Sequence, residues 1–344
     1  MKRVLTVLMV LVMVLAMLTA CGAPATESVS SAPSESATLG ESAAEATSPA
    51  PTAAYGEDNP LTVATLAGPT GMGMIELFDN PAYEVSLLTT PDQISPKIIS
   101  GEATVATIPS NLAAVLYNKM KGGIKIVSVN TMGVLYIVEN GDTVNSIEDL
   151  AGKTIYATGQ GATPEYVLNK ILKENGLDDV TVEFMGAHAD LANAVAAGDV
   201  TLALLPEPFV SAVLAQNPDV SVKLDINKEW QKIFGDDAGM PMGVTVVSSA
   251  FAQDQASMNQ LIADYTASVN YVTSDADGAA KAIVAKQIVG AEPVAKAAIP
   301  RCGLSFITGE ECKAILNDYF QMMFESNPES VGGAMPDDGI YYMP

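Results

Sequence analysis

An α/β fold made of two similar lobes is the class that this sequence predicts, and three observations support it. Short β-rich runs alternate with helical stretches from Asn59 to Pro344, a pattern typical of α/β proteins. A ten-residue segment recurs at a constant offset, and glycine turns follow corresponding strands in both halves. These 286 residues are enough for one large or two medium-sized domains.

The elements of the first half begin with a strand, a glycine turn and a helix through Phe78. We expect strands at 61–66, 83–88, 105–108, 125–129 and 134–138, and helices at 91–100 and 111–119. The same order starts again with a strand at 153–157, a Gly159-Gln-Gly161 turn and a helix at 164–174.

The recurring segment can be aligned residue by residue. Gly101 to Ser110 matches Gly198 to Glu207 at an offset of 97, with four of ten positions identical. Each copy follows an amphipathic run and precedes another apolar helix. The match therefore favours two lobes of similar build, although many strand-helix units share this general form.

The N-terminus indicates export and a lipid anchor. Lys2 and Arg3 precede an apolar run that is too short to span a bilayer, so residues 1–20 are expected to be a signal peptide. The following Cys21 resembles the acylated cysteine of a bacterial lipobox, and the alternative is an ordinary signal with a chance cysteine. Residues 21–58 would then be the acylated cysteine and a disordered tether, because they hold little to bury.

The charge is strongly negative. Forty acidic and 17 basic residues give a formal charge of −23, and loss of Lys2 and Arg3 with the signal would make it −25. Nucleic acids are bound by clusters of Lys and Arg, so a nucleic-acid partner is excluded. The acidity suits a solvated surface that keeps an extracytoplasmic protein soluble.

Two cysteines remain besides Cys21. Cys302 and Cys312 lie ten residues apart, and an oxidising compartment would allow them to form a disulfide. The alternative is two buried free thiols.

A ligand site is expected where the lobes meet. Open α/β sheets bind ligands at the carboxyl ends of their strands, where helix N-termini present unpaired N–H groups. Two such termini are expected in each lobe, and across a cleft they would enclose a small polar or anionic molecule. Neither glycine turn has the third glycine of a dinucleotide-binding turn, and we expect no cofactor.

Five motifs resemble the sulfonate/nitrate/thiamine-precursor group of ABC importer substrate-binding proteins, over nearly all of residues 60–342. They are Gly68-Pro-Thr-Gly-Met-Gly73, Ser100-Gly-Glu-Ala-Thr-Val-Ala106, Gly159-Gln-Gly-Ala-Thr-Pro-Glu-Tyr166, Ala203-Leu-Leu-Pro-Glu-Pro-Phe209 and Asn327-Pro-Glu-Ser-Val-Gly-Gly333.

The resemblance implies a two-lobed type II periplasmic-binding-protein fold with two hinge crossovers, near 131–136 and 239–244. Lobe 1 would be discontinuous, with residues 59–132 and 243–344, and lobe 2 would be 133–242. C-terminal helices near 259–272, 279–288 and 310–324 would pack on lobe 1.

The resemblance also implies which residues contact the ligand. The set is Pro69, Thr70, Gly71, Thr90, Asp92, Ser110, Asn111, Thr131, Met132, Tyr136, Gln160, Gly161, Thr163, Glu207 and Phe209. Ser110 and Thr163 also suit helix caps, whatever binds. These loops contain no Arg or Lys, and Arg301 lies beyond the repeat, so an uncharged or heteroaromatic solute is as consistent as a sulfonate.

The function expected from the resemblance is that of an extracytoplasmic solute-binding lipoprotein. It would be a monomer held at the membrane only by lipidated Cys21, it would close its lobes on a solute, and its partner would be an ABC permease. An enzyme of the same fold, a lyase or a pyrimidine-synthase-like protein, is the alternative, and a surface sensor is a third interpretation. The lone His188 lacks the companions that a metal site needs, and we expect neither a metal site nor catalysis.

Overall fold

A computed structural model describes residues 53–235 and 238–344, and the strands in these ranges form two sheets. In chain order the strands are β1 (Leu61–Leu66), β2 (Tyr83–Leu88), β3 (Val105–Pro109), β4 (Ile124–Thr131), β5 (Leu135–Asn140), β6 (Thr154–Ala157), β7 (Thr181–Phe184), β8 (Leu202–Pro206), β9 (Val220–Asp225), β10 (Gly243–Ser248) and β11 (Leu304–Thr308).

Helices connect and cover the strands. They are α1 (Pro69–Gly73), α2 (Pro91–Ser100), α3 (Ser110–Lys119), α4 (Thr163–Glu174), α5 (His188–Ala197), α6 (Phe209–Gln216), α7 (Ile226–Phe234), α8 (Gln255–Ser274), α9 (Ala276–Ala285), α10 (Glu292–Ala298) and α11 (Gly309–Ser326). Short 3-10 turns include Ile75–Phe78, Ile299–Arg301 and Pro328–Val331.

The two sheets have related topologies. The first has the order β11-β4-β10-β3-β1-β2 and the second β7-β6-β8-β5-β9. In both, parallel strands joined by helices lie at one side, and an antiparallel strand (β10 or β5) lies beside the repeat strand (β3 or β8). The structure therefore confirms the mixed α/β fold and puts the two repeat copies, β3–α3 and β8–α6, in corresponding places.

Each repeat copy begins with the glycine that ends the preceding helix. Gly101 follows α2 with φ 77°, and Gly198 follows α5 with φ 85°. Both values lie in the left-handed region, which only glycine occupies without a steric penalty. The glycine and the acidic residue after it therefore mark a turn from helix into strand in both halves.

The chain passes between the sheets twice. The first passage lies between Thr131 and Leu135, and the second lies between the end of α7 and Gly243. Fully buried apolar side chains pack the sheets, among them Ile108 of β3 and Ile137 of β5. These side chains belong to one apolar cluster that includes residues from both sheets.

The predicted bounds match closely in the first half, where β1, β2 and α2 begin and end as expected. The prediction missed β7, β9, β11, α7 and α10, and it treated residues 239–244 as a crossover without recognising the strand β10 after it. Two of the missed strands, β7 and β11, lie at sheet edges and are short, so they show little alternation.

The signal peptide and Cys21 lie outside the described residues, as does most of the predicted 21–58 tether. Among the residues that are described, no helix has both the length and the apolar character that crossing a bilayer requires.

The expected disulfide is wrong, because Cys302 and Cys312 are free, buried thiols. The Cys302 Sγ lies 3.9 Å from the Met72 Sδ, whereas Cys312 belongs to a different apolar cluster. Strand β11 runs between them, and its five residues span about 17 Å at the usual rise of a strand. That separation exceeds the reach of a disulfide.

We expect both thiols to stay unreactive in the native protein. Burial raises the Cys302 pKa well above its usual value and the Cys312 pKa to about 12, and the thiolate is the reactive form. In a full-length Cys21→Ser chain, a chromogenic thiol reagent should label nothing rapidly, and it should label two thiols per chain in concentrated guanidinium chloride without reductant. If the unfolded chain were labelled only after a reductant was added, the two cysteines would be paired and the disulfide prediction would be correct.

Candidate functional site

The helices that follow the repeat strands and their neighbours start at one edge of each sheet, and the two edges face each other. A Cβ at Gly68, after β1, would lie 3.9 Å from the Pro208 Cδ, after β8. On the other side, Asn111 after β3 contacts Thr163 after β6. The loop after β1 thus meets the loop after β8, and the loop after β3 meets the loop after β6. Most of the predicted site residues lie between these loops.

Asn111 and Thr163 form part of a buried polar chain between the sheets. The Tyr319 hydroxyl of α11 donates to the Thr163 Oγ1 at 2.9 Å, and the Thr163 hydroxyl in turn donates to the Asn111 Oδ1 at 3.4 Å. The Asn111 Nδ2 donates to the Ser330 carbonyl oxygen at 3.2 Å. The two predicted residues are brought together, and their side chains bridge the two edges.

Ser110 is the first residue of α3 and is fully buried. Its backbone N–H donates to the Met242 carbonyl oxygen at 3.2 Å, but its hydroxyl has no hydrogen-bond partner among the described residues. Buried hydroxyls in native proteins are nearly always paired, so the Ser110 hydroxyl is a candidate for pairing with a bound molecule if the two edges move apart. The hydroxyl lies at the start of a ten-residue helix, where N–H groups and the helix dipole favour negative charge.

Thr131 and Met132 lie where the chain first leaves sheet 1. The Thr131 side chain is buried and donates to the Asn130 Oδ1 at 3.0 Å, and its carbonyl oxygen accepts from the Met242 N–H at 2.8 Å. The Met132 N–H donates to the Gly303 carbonyl oxygen, also at 2.8 Å. These two residues therefore join the two crossovers to each other and to the segment before β11.

Glu207 is a buried carboxylate with a cation beside it. Its Oε2 accepts from the Ser211 N–H at 3.1 Å, and its Oε1 accepts from the Ser211 Oγ at 3.0 Å. The Arg301 Nη1 lies 3.3 Å from the Glu207 Oε1, and the Tyr136 hydroxyl donates to the Arg301 carbonyl oxygen at 3.1 Å. The loops themselves contain no Arg or Lys, but the fold brings Arg301 to them from a distant part of the chain.

Burial raises the pKa of Glu207 above its ordinary value, since it removes water from the carboxylate. The hydrogen bonds from Ser211 and the charge of Arg301 oppose that shift without cancelling it. Glu207 is already fully engaged by these partners, and it does not point to solvent as an acceptor for a ligand amine.

Phe209, the first residue of α6, packs against His188, the first residue of α5, with ring centroids 5.4 Å apart. The His188 Nδ1 also forms a hydrogen bond with the Thr158 hydroxyl. Burial lowers the pKa of His188 because it disfavours the charged imidazole. His188, which the sequence did not place at the site, therefore lies beside the predicted site residue Phe209.

Pro69, Thr70 and Gly71 open α1 after β1. The Thr70 hydroxyl donates to the Leu66 carbonyl oxygen at 3.1 Å, which ties the turn to its own strand. A Cβ at Gly71 would lie 2.8 Å from that same oxygen, so the close approach requires glycine.

Four predicted contacts lie at the exposed rim. Thr90 is exposed and caps α2 together with Gln93, and Asp92 follows it on the surface. Gln160 and Gly161 are also exposed, in the turn before α4. The structure does not bring these four residues into the buried contacts between the two edges.

Arg301, Ser211 and Tyr319 were missed. Arg301 is 94 positions from Glu207, and Tyr319 is 156 positions from Thr163. The one signal in the sequence was that Ser211 lies in the first turn of the expected helix, shortly after Glu207, where a preceding acidic side chain can cap the helix N-terminus.

A separate surface cavity of about 450 Å³ involves none of the predicted site residues. The 3-10 turn after α1 and helices α8 and α9 line it, with Glu76, Asp79 and Asp264 among its side chains. Its position on the outside of the first sheet separates it from the facing loops.

Part of the chain matches a known family. Residues 83–238 match the family described as "ABC transporter, phosphonate, periplasmic substrate-binding protein". Over these residues, slightly less than half of the chain, the protein is similar to the substrate-binding protein of an ABC transporter. That segment includes β2 to β9 and therefore the loops that begin α3, α4, α5 and α6. A search of curated proteins finds no match.

Solved structures with the same fold are transport proteins. An ABC transporter from Parabacteroides distasonis is 21% identical, with 82% of this chain and 98% of that chain covered and a TM-score of 0.70. The alkanesulfonate-binding protein SsuA from Xanthomonas axonopodis pv. citri, bound to MOPS, is 16% identical, with 78% and 93% covered and a TM-score of 0.58. The aliphatic sulphonate binding protein SsuA from Escherichia coli is 15% identical, with 81% and 92% covered and a TM-score of 0.61.

The family match supports the transport interpretation over the enzyme alternative, since that family is a transport component. It also agrees with an extracytoplasmic location, because the family is periplasmic. Within the described residues no group of three or more His, Cys, Asp or Glu side chains is arranged to hold a metal ion.

His188 should remain neutral at neutral pH. It is the single histidine of the chain, so its Hε1 resonance can be followed without assignment. Since burial lowers its pKa, we expect its NMR titration midpoint below about 6.5, the value of an exposed histidine. A midpoint at or above that value would mean that the imidazole is hydrated and is not packed on Phe209.

Proposed function

We propose that this protein is an extracytoplasmic solute-binding lipoprotein that delivers a small oxyanion to the permease of an ABC importer. The observation that carries the solute class is the buried, unpaired Ser110 hydroxyl at the N-terminus of α3. Anchoring through acylated Cys21, a monomeric state and the ligand contacts are parts of this proposal.

The chemistry of the facing edges suits an oxyanion such as a sulfonate, a phosphonate or nitrate. Helices α3, α4 and α6 begin at the facing edges, and helix N-termini favour negative charge. In α6 the Ser211 N–H is already bonded to Glu207, so α3 and α4 are the N-termini left for a solute. The Ser110 hydroxyl can add a donor, and Arg301 offsets the carboxylate of Glu207 so that the wall is not negatively charged. Stacking on a heteroaromatic solute has less support, because Phe209 packs on His188 and Tyr136 is buried.

The proposed lobes follow the two sheets. Lobe 1 would be 59–132 with 243–344, and lobe 2 would be 133–242, joined by the two passages already described. A solute held by one edge would contact the other edge only when the lobes close, so its differential affinity would shift the population toward the closed form. The permease would then recognise that form.

Binding to a solute panel tests the proposal directly. A full-length Cys21→Ser chain is screened by thermal unfolding against alkanesulfonates, alkylphosphonates, nitrate and a pyrimidine. A true solute at about 100 times its Kd stabilises the fold by about 2.7 kcal/mol, and small-angle scattering should show compaction with it. Stabilisation by the pyrimidine alone would contradict the oxyanion class, and unchanged scattering at saturation would contradict lobe closure.

Ser110→Ala should weaken binding of the stabilising oxyanion by about 10- to 100-fold, the loss typical of a hydrogen bond to a charged group. Ser128→Ala is the matched control, since its hydroxyl is also buried and unpaired but lies within β4. Calorimetric titration of both variants with that oxyanion distinguishes a direct contact of Ser110 with the solute from an effect through the fold. Equal losses in the two variants would mean that Ser110 acts through the fold.

A further inference from the structure

We propose that Arg301 is a latch that stabilises the closed arrangement of the two lobes by pairing with Glu207. This inference rests on the lobe closure of the proposed function and gives Arg301 an effect on closure that is present without any solute.

The pair joins elements of different sheets. Arg301 ends the 3-10 turn Ile299–Arg301 directly before β11 of the first sheet, whereas Glu207 follows β8 of the second. The guanidinium reaches the Glu207 Oε1 at 3.3 Å and the Ser211 Oγ at 3.5 Å. The backbone of Arg301 is held as well, by the Tyr136 hydroxyl of β5. One residue of lobe 1 therefore bonds three side chains of lobe 2.

The burial of Glu207 makes the pairing depend on closure. The Glu207 side chain is 0% exposed, whereas that of Arg301 is 37% exposed. A carboxylate without a counter-charge is strongly disfavoured in such a site. When the lobes separate, water can solvate Glu207 and the need for Arg301 disappears. Removal of Arg301 therefore penalises the closed form much more than the open one.

Two other titratable groups near Glu207 stay neutral between about pH 5 and about pH 8. Tyr136 and Cys302 are the neighbours whose pKa values its charge affects. Burial is the main cause that raises both of these pKa values, well above neutral pH. Arg301 remains protonated throughout. Among Glu207, Tyr136, Cys302 and Arg301, only Glu207 can therefore change charge between about pH 8 and about pH 5. His188, which packs on Phe209 and has a lowered pKa, is the same in all the backgrounds compared, so the Glu207→Gln variant separates its effect from that of Glu207.

The sign of the pH effect follows from this. Burial in the closed form raises the Glu207 pKa above that of a hydrated carboxylate in the open form. Without Arg301 the rise is larger, because the opposing positive charge is gone. The closed form of an Arg301→Met chain then binds more protons than the open form, so closure is favoured as the pH falls.

The experiment measures lobe separation without any solute. Spin labels on Ile99→Cys of α2 and Asn169→Cys of α4, both exposed positions in different lobes, report the distance by pulsed electron resonance in the full Cys21→Ser chain. The native thiols Cys302 and Cys312 are buried and do not label. Four backgrounds are compared at about pH 8 and about pH 5, namely unsubstituted, Arg301→Met, Arg301→Met with Glu207→Gln, and Lys296→Met.

We expect Arg301→Met to reduce the ratio of closed to open populations by about tenfold at the higher pH, as for loss of a hydrogen bond to a charged group. In Arg301→Met the closed-to-open ratio should return toward that of the unsubstituted chain at about pH 5. In Arg301→Met with Glu207→Gln it should be restored at both pH values. Lys296→Met, which removes an exposed cation of the same lobe paired with Asp277, should change nothing.

An Arg301→Met distribution identical to that of the unsubstituted chain at both pH values overturns the latch. So does a loss that neither acid nor Glu207→Gln reverses, since that pattern marks general damage to the fold. The solute panel is measured separately, so failure of the latch leaves the proposed function standing. Failure of every oxyanion in that panel leaves the solute-free result for the latch intact.

Discussion

The arrangement of the site depends on two backbone hydrogen bonds at the passage between the sheets. The Met242 N–H donates to the Thr131 carbonyl oxygen, and the Met132 N–H donates to the Gly303 carbonyl oxygen, both at 2.8 Å. Together they hold the two crossovers and the segment before β11 side by side. Gly303 has φ +53°, and a Cβ there would lie 2.6 Å from the Met132 carbonyl oxygen, so only glycine permits this approach. The facing edges can meet because these segments are fixed.

The sequence predicted what local chemistry and repetition determine. Gly101 and Gly198 begin both repeat copies with the same left-handed turn, and the loops after β3 and β8 carry Ser110 and Glu207 at matching positions. Pairing between distant segments could not be predicted. Arg301 meets Glu207 across 94 positions, a contact that no periodicity records. The disulfide failed for a related reason, because ten residues between two cysteines include an extended strand that keeps them apart.

An acidic protein can take an anionic solute when the decisive charges are local. At physiological ionic strength the Debye length is about 8 Å, so much of the field from the formal charge of −23 is screened at the site. Helix N-termini and buried hydroxyls act at hydrogen-bond distance, where screening is weak. The ion pair of Glu207 with Arg301 would keep the buried carboxylate of these loops from repelling the proposed anionic solute.

The chain order of the first sheet has a consequence for biogenesis. Strand β10 lies between β3 and β4 and bonds to both, yet it is more than 110 residues downstream of β4. A polypeptide that emerges from an export channel N-terminus first must therefore wait for Gly243–Ser248 before β3 and β4 can be joined. All five strands of the second sheet will have emerged by then. The second sheet can complete its hydrogen-bonding while the first is still unfinished and exposed to chaperones or proteases.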